Sequence, residues 1–123
     1  MRAMVIDDSR AMRTILGRML KEIGFETVEA ANGRLAIDSL AGQAAPDLAV
    51  VDWNMPEMNG YEFVLAVRAN RALDSMRLMM VTTEADIEHV TKALAAGANE
   101  YLMKPFTKEA VADKLALLGI GVG

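Results

Sequence analysis

A chain of 123 residues, 53% apolar and 24% charged, is long enough to bury a core and too apolar to remain disordered. It has no cysteine, which excludes disulfides, thiolate metal sites and thiol nucleophiles. The net charge of -4 gives no basis for binding nucleic acid or anionic lipid, and no apolar run approaches the roughly 18 residues of a membrane span.

The N-terminus, MRAMVIDD, places an acidic pair where a signal peptide needs its apolar centre, so a cytoplasmic location is expected. Ala3–Ile6 reads as a first strand ending in Asp7 and Asp8. The stretch SRAMRTILGRMLKEIG follows, with Met12, Ile15, Leu16, Met19, Leu20 and Ile23 as one apolar stripe, Ser9 able to cap its start and Gly24 its end. Thr27–Ala30 is the second strand, and Asn32 caps a second helix that runs through Leu40. Leu48–Val51 drives straight into Asp52, followed by Pro56 and an Asn59-Gly60 turn. A third helix runs from Gly60 to about Asn70, with Phe63, Val64 and Val67 inward. Leu78–Val81 is the fourth strand, and Glu84 to Ala96 the fourth helix, its stripe being Ile87, Val90, Thr91 and Leu94. Tyr101–Met103 and a helix from Thr107 to Leu118 complete the chain.

Strands alternating with helices of this length imply parallel βαβ units, and runs such as AVVD and LMMVT, apolar on both faces, imply helices on both sides of the sheet. The expectation is one α/β domain over residues 1–123, a three-layer sandwich with no room for a linker or second domain. In such sheets ligands bind beyond the carboxyl ends of the strands. Those ends carry Asp7 and Asp8, Asp52, Thr82 and Thr83, and Lys104; only the second strand ends blandly.

Three carboxylates brought together repel unless protonated or bridged by a cation. An oxygen-only set points to a hard ion such as Mg2+. A lysine and a hydroxyl beside it suit a phosphoryl group, with Asp52 on the central strand as a nucleophile that forms an acyl phosphate. Taken singly, each residue has a plainer reading. Asp52 can close a strand, Asp7 and Asp8 can cap a helix, Lys104 can be a solvated edge charge, and Thr82 and Thr83 are both simple β-formers. It is the joint pattern that argues for a site.

VIDDS, VVDWNMP with MNG, MVTTEA and YLMKPF, in this order and spacing, resemble the receiver domain of two-component response regulators, and most of all the single-domain chemotaxis regulators. The likeness spans essentially the whole chain. It implies a flavodoxin-like (βα)5 fold with a five-stranded parallel sheet in the order 2-1-3-4-5. It implies that Asp52 is the phosphoacceptor, that Asp8 binds Mg2+ directly and Asp7 mainly through water, and that the main-chain carbonyl of Asn54 is a further ligand. Thr82 and not Thr83 is then the switch hydroxyl, Lys104 the phosphate-contacting lysine, and Tyr101 the aromatic switch, with the Lys104–Pro105 bond cis. Asn54 and Glu84 fall at positions that adjust the reset rate. The readout is the α4–β5–α5 face, here Glu88, His89, Lys92, Asn99, Tyr101, Met103 and Lys108.

The expected activity is self-phosphotransfer from a histidine kinase followed by autodephosphorylation, not turnover of a separate substrate. The expected partners are that kinase and a target protein such as a flagellar motor switch component, with the chain a monomer. The short tail GIGVG gives no sign of a fused output domain. A phosphorylation-independent adaptor is the alternative, but it should have lost an acidic-pair member, Thr82 or Lys104, and none is lost. A flavin domain on the same fold needs a phosphate-cradling loop after the first strand, where DDSRAM is acidic and free of glycine. An aspartyl phosphatase usually has a second aspartate where Asn54 stands. His89 reads as a solvent-facing helix residue, Trp53 as partly exposed, and Met55 and Met58 as either core or partner contacts. Asn59 replaces an aspartate common in this loop.

Overall fold

A computed structural model describes residues 1–120 and, within them, everything but the side chain of Glu84; the last three residues of the GIGVG tail lie outside the described residues. The strands are β1 Arg2–Ile6, β2 Glu26–Ala30, β3 Leu48–Asp52, β4 Arg77–Thr82 and β5 Glu100–Met103. The helices are α1 Arg10–Ile23, α2 Gly33–Leu40, α3 Gly60–Arg68, α4 Ile87–Ala96 and α5 Lys108–Leu117. All strand pairs are parallel, and the sheet order is β2-β1-β3-β4-β5. This is the flavodoxin-like arrangement.

The central strands alternate faces as a pleat requires. Ala49 and Val51 point with Phe63, Val64 and Val67 into a core that α2, α3 and α4 cover. Leu48 and Val50 point the other way, with Leu16, Leu20, Val111 and Leu115 of α1 and α5. All five residues of β3 are buried, Asp52 included, so this carboxylate is held by a strand with no slack.

Helix starts follow local chemistry. The side chains of Ser9, Asn32, Asn59 and Thr107 each accept a hydrogen bond from a backbone N–H in the first turn of the helix that follows. Asn59 and Glu62 complete a reciprocal capping box, which fixes the loop after Asp52.

Three packing expectations are corrected. Ile15 is 47% exposed, because α1 rests on the sheet through Leu16 and Leu20. On α4 the inward positions are Val90 and Ala93, while Thr91 is exposed and Leu94 is 38% exposed. The helix thus sits on the sheet through a small residue. α4 also starts later than its periodicity indicates: Glu84–Asp86 form a 3-10 turn, and Asp86 makes no side-chain cap because its carboxylate is engaged elsewhere.

Gly60 is where backbone meets backbone. A Cβ there would lie 2.5 Å from Met80 Cε, 3.1 Å from Trp53 Cα and 3.2 Å from the Asp52 carbonyl oxygen. The methionine tip can yield, but the main chain around Asp52 cannot. Gly60→Ala is expected to cost about 1–3 kcal/mol in urea denaturation, as overpacking does, and to displace the loop that carries Asp52.

Candidate functional site

The carboxyl ends of β1 and β3 bring Asp7, Asp8 and Asp52 together, with one carboxylate oxygen from each within 4.8 Å of the others. Asp7 and Asp52 are buried, at 1% and 6% exposure, and Asp8 is open to solvent. Such a cluster has one wet and two dry members. From the end of β5, Lys104 Nζ lies 3.3 Å from Asp52 Oδ1 and 4.0 Å from Asp7 Oδ2. One ammonium therefore faces three carboxylates and leaves a local excess of negative charge.

The buried carboxylates show the consequence. Burial pushes the Asp7 carboxyl above its ordinary pKa, partly offset by the hydrogen bond it accepts from the Ser9 N–H at 2.8 Å and by Lys104. Burial likewise raises Asp52, and the neighbouring charge of Asp7 raises it further against the pull of Lys104. Asp7 Oδ2 is buried and accepts no hydrogen bond. A dry carboxylate oxygen without a donor, in an oxygen-only cluster of like charges, fits a hard divalent cation.

Thr82 ends β4 beside the cluster and is buried; its hydroxyl donates to the Thr83 carbonyl at a long 3.3 Å, while the Lys104 N–H bonds the Thr82 carbonyl at 2.7 Å. Thr83 Oγ1 donates to Asp86 at 3.2 Å, and Asn54 Nδ2 donates to the same Asp86 oxygen at 2.9 Å. Asn54 is exposed just after β3, and its amide ties the β3–α3 loop to the turn before α4. The Lys104–Pro105 bond is cis.

Trp53, expected to be partly exposed, is buried at 8%. Its ring stacks on His89 of α4 with centroids 5.5 Å apart and planes inclined by 16°, and His89 supplies the cover that the sequence does not announce.

Of the residues expected on the readout face, Glu88, His89 and Lys92 are exposed on α4. Lys92 leans over the Tyr61 ring of α3 at 4.7 Å. Tyr101 and Met103 are half-buried, and Lys114 Nζ sits 4.2 Å over the Tyr101 ring. Two members point elsewhere: Asn99 Oδ1 accepts from the Leu78 N–H and from Arg68, at the opposite end of the sheet, and Lys108 pairs with Glu22 of α1 at 3.0 Å. The Glu84 side chain lies outside the described residues.

Two contributors to the site escaped the sequence. Arg13 donates from Nη1 to the Asp7 carbonyl at 2.7 Å and from Nε to Glu29 at 3.0 Å, bracing the acidic loop against β2. An arginine in the first turn after an acidic pair is a usable signal. Asp86, gathering Asn54 and Thr83, has none, because its partners come from different loops.

The chain matches the response regulator receiver domain family over residues 3–116. It is 43% identical to a chemotaxis protein CheY homolog of Campylobacter jejuni over 125 residues, covering 100% of this chain and 96% of that one. It is 40% identical to chemotaxis protein CheY1 of Helicobacter pylori over 119 residues, with 96% of each covered. Among solved structures it is similar to the chemotaxis response regulator CheY4 of Vibrio cholerae, with a TM-score of 0.87, 33% identity, and 95% and 97% of the two chains covered. An acidic cluster at the carboxyl edge of a 2-1-3-4-5 sheet, a lysine against the aspartate that ends β3, and matches along nearly the whole length lead to one conclusion: the chain belongs to the response regulator receiver domain family.

Proposed function

We propose that Asp52 is the phosphoacceptor of a receiver unit spanning residues 1–123, acting in the cytoplasm as a monomeric switch between a histidine kinase and a protein target. As a receiver domain the chain serves phosphorelay signalling, taking its phosphoryl group from a histidine kinase and releasing it by autodephosphorylation. The single observation that carries the residue assignment is the convergence of Asp7, Asp8 and Asp52 around Lys104, with one buried oxygen left without a donor.

Asp8, Asp52 and the Asn54 main-chain carbonyl, with Asp7 mainly through water, would hold Mg2+, which when bound would supply positive charge against the three carboxylates and the phosphoryl oxygens. An Asp52 oxygen bonds to phosphorus as the phosphorus–nitrogen bond to the kinase histidine breaks and the electron pair leaves with the imidazole; Lys104 pairs with a phosphoryl oxygen, and Thr82 turns its hydroxyl from a long, weak bond at the Thr83 carbonyl toward the new charge. That turn disturbs the β4–α4 turn, where Thr83 and Asn54 share Asp86. Tyr101 and the α4–β5–α5 face respond, with Glu88, His89 and Lys92 as its exposed core. Asn54 and Glu84 set the rate of hydrolysis. The relatives named for chemotaxis support a chemotactic pathway, and the target proposed within it is a flagellar motor switch component.

Intact-mass spectrometry after incubation with acetyl phosphate tests this reading. One phosphoryl adduct is expected with Mg2+ present and at least tenfold less in EDTA. An adduct of equal yield in EDTA contradicts the metal assignment, and no adduct contradicts the acceptor assignment.

A further inference from the structure

Asp86 stands immediately before α4, where a carboxylate ordinarily caps the first turn, yet its side chain caps nothing. Its backbone, at φ -103° and ψ 5°, lacks the extended shape that Ser9, Asn32, Asn59 and Thr107 share at other helix starts. One oxygen, Oδ2, instead accepts from Asn54 Nδ2 at 2.9 Å and from Thr83 Oγ1 at 3.2 Å. The two donors come from the loops that follow β3 and β4, the strands that end in Asp52 and Thr82. A helix start that forgoes its cap breaks a local rule, and such breaks gather where a residue has other work.

The bridge joins a segment that is fixed to one that has to move. Asn54 sits in the loop held after Asp52 by the Asn59–Glu62 capping box and by the Gly60 N–H, which donates to the Trp53 carbonyl at 3.0 Å. Thr82 reaches a phosphoryl oxygen only by leaving the Thr83 carbonyl, 3.3 Å from its hydroxyl. Thr83 is in turn tied twice to Asp86, through its own hydroxyl and through its carbonyl, which accepts from the Asp86 N–H at 3.1 Å. We propose that Asp86 is a positioning residue that restrains phosphoryl uptake: acting through Asn54 and Thr83, it holds the loop after Thr82 in its resting arrangement. Thr82 then donates to the incoming group only in the fraction of molecules whose bridge is open, and the uptake rate scales with that fraction. The proposal rests on Asp52 being the acceptor and Thr82 the hydroxyl that turns to the phosphoryl group.

The initial rate of adduct formation from acetyl phosphate in Mg2+, followed by intact mass, tests the restraint. Asp86→Ala should take up phosphoryl groups about fivefold faster than wild type, the scale of one ordinary hydrogen bond. Loss of a negative charge near an anionic donor would also speed uptake, and Asp86→Asn separates the two causes. It removes the charge and keeps an oxygen that accepts, so its rate should stay close to wild type. Thr83→Val should raise the rate by itself, and Asp86→Ala should add less in that background than alone, because both open one bridge. An unchanged or slower Asp86→Ala, an Asp86→Asn as fast as Asp86→Ala, or full additivity with Thr83→Val overturns the restraint. No adduct in the wild type overturns the acceptor reading and the restraint with it, and is readily told apart from an unchanged rate.

Discussion

Asp52→Asn should abolish the phosphoryl adduct and at the same time raise the thermal midpoint of the metal-free protein, by about 5 °C at neutral pH. The first effect is the loss of the nucleophilic carboxylate. The second follows from what the site costs the fold. Burial and the Asp7 charge raise the folded-state pKa of Asp52 above the ordinary 3.8. The folded state therefore binds the proton more tightly than the unfolded chain does. For a carboxyl shifted in this direction, stability falls as pH rises from about the ordinary value through the folded pKa, and the full cost is present above it. Asn carries no charge and escapes that cost. The stability gap between Asp52→Asn and wild type should be near zero below pH 3.8, open as pH rises, and then level off. Against this stands the lost ion pair with Lys104, but that ammonium is partly solvated and keeps Asp7 at 4.0 Å, so the loss is the smaller term. Scanning calorimetry across pH in EDTA reads the gap; a midpoint lowered by the substitution at neutral pH contradicts the account.

Arg68→Ala is expected to be the most damaging single truncation away from the site, at about 3 kcal/mol or more. The Arg68 guanidinium donates to the carbonyls of Gly97, Leu73, Asp74 and Met76 and to Asn99 Oδ1, at 2.8 to 3.4 Å. It joins the end of α3 to the 3-10 turn at Arg71–Leu73, to the approach to β4 and to the turn between α4 and β5. Removing it leaves several acceptors short of a donor at once. Gly97 belongs to the same arrangement: with φ of 125° it suits glycine, and a Cβ there would approach Arg68 Cγ to 2.6 Å. Arg68→Lys should recover little, since an ammonium cannot span acceptors spread across a planar fork. Because this cluster lies at the opposite end of the sheet, the folded fraction of Arg68→Ala should still take up phosphoryl groups. Urea denaturation with and without adduct formation separates the two effects, and a cost below 1 kcal/mol contradicts the hub.

The architecture was legible because its signals are local. Strand β3 reads as an unbroken apolar run, and the caps at Ser9, Asn32 and Thr107 stand at helix starts. The carboxyl-edge rule gathers Asp7, Asp8, Asp52, Thr82 and Lys104 from the ends of their strands alone. What periodicity could not supply was pairing across elements. Trp53 joins the core and is also covered by His89 of another element. Arg13 reaches back to Asp7, and Asn99, expected at the readout face, spends its side-chain oxygen on Leu78 and Arg68. α4 begins later than its periodicity indicates for the same reason, since the Asp86 carboxylate that would cap it serves Asn54 and Thr83 instead. Ile15 lay on the right stripe of α1 and still missed the core, because the helix rolls onto Leu16 and Leu20.

The central claim, that Asp52 alone accepts the phosphoryl group, is tested most directly by borohydride reduction of the chain after reaction with acetyl phosphate and Mg2+. Reduction converts an aspartyl phosphate to homoserine, which peptide mass spectrometry locates. The account predicts homoserine at position 52 and at no other aspartate. Homoserine at Asp7 or Asp8, or an adduct that survives reduction, would contradict it.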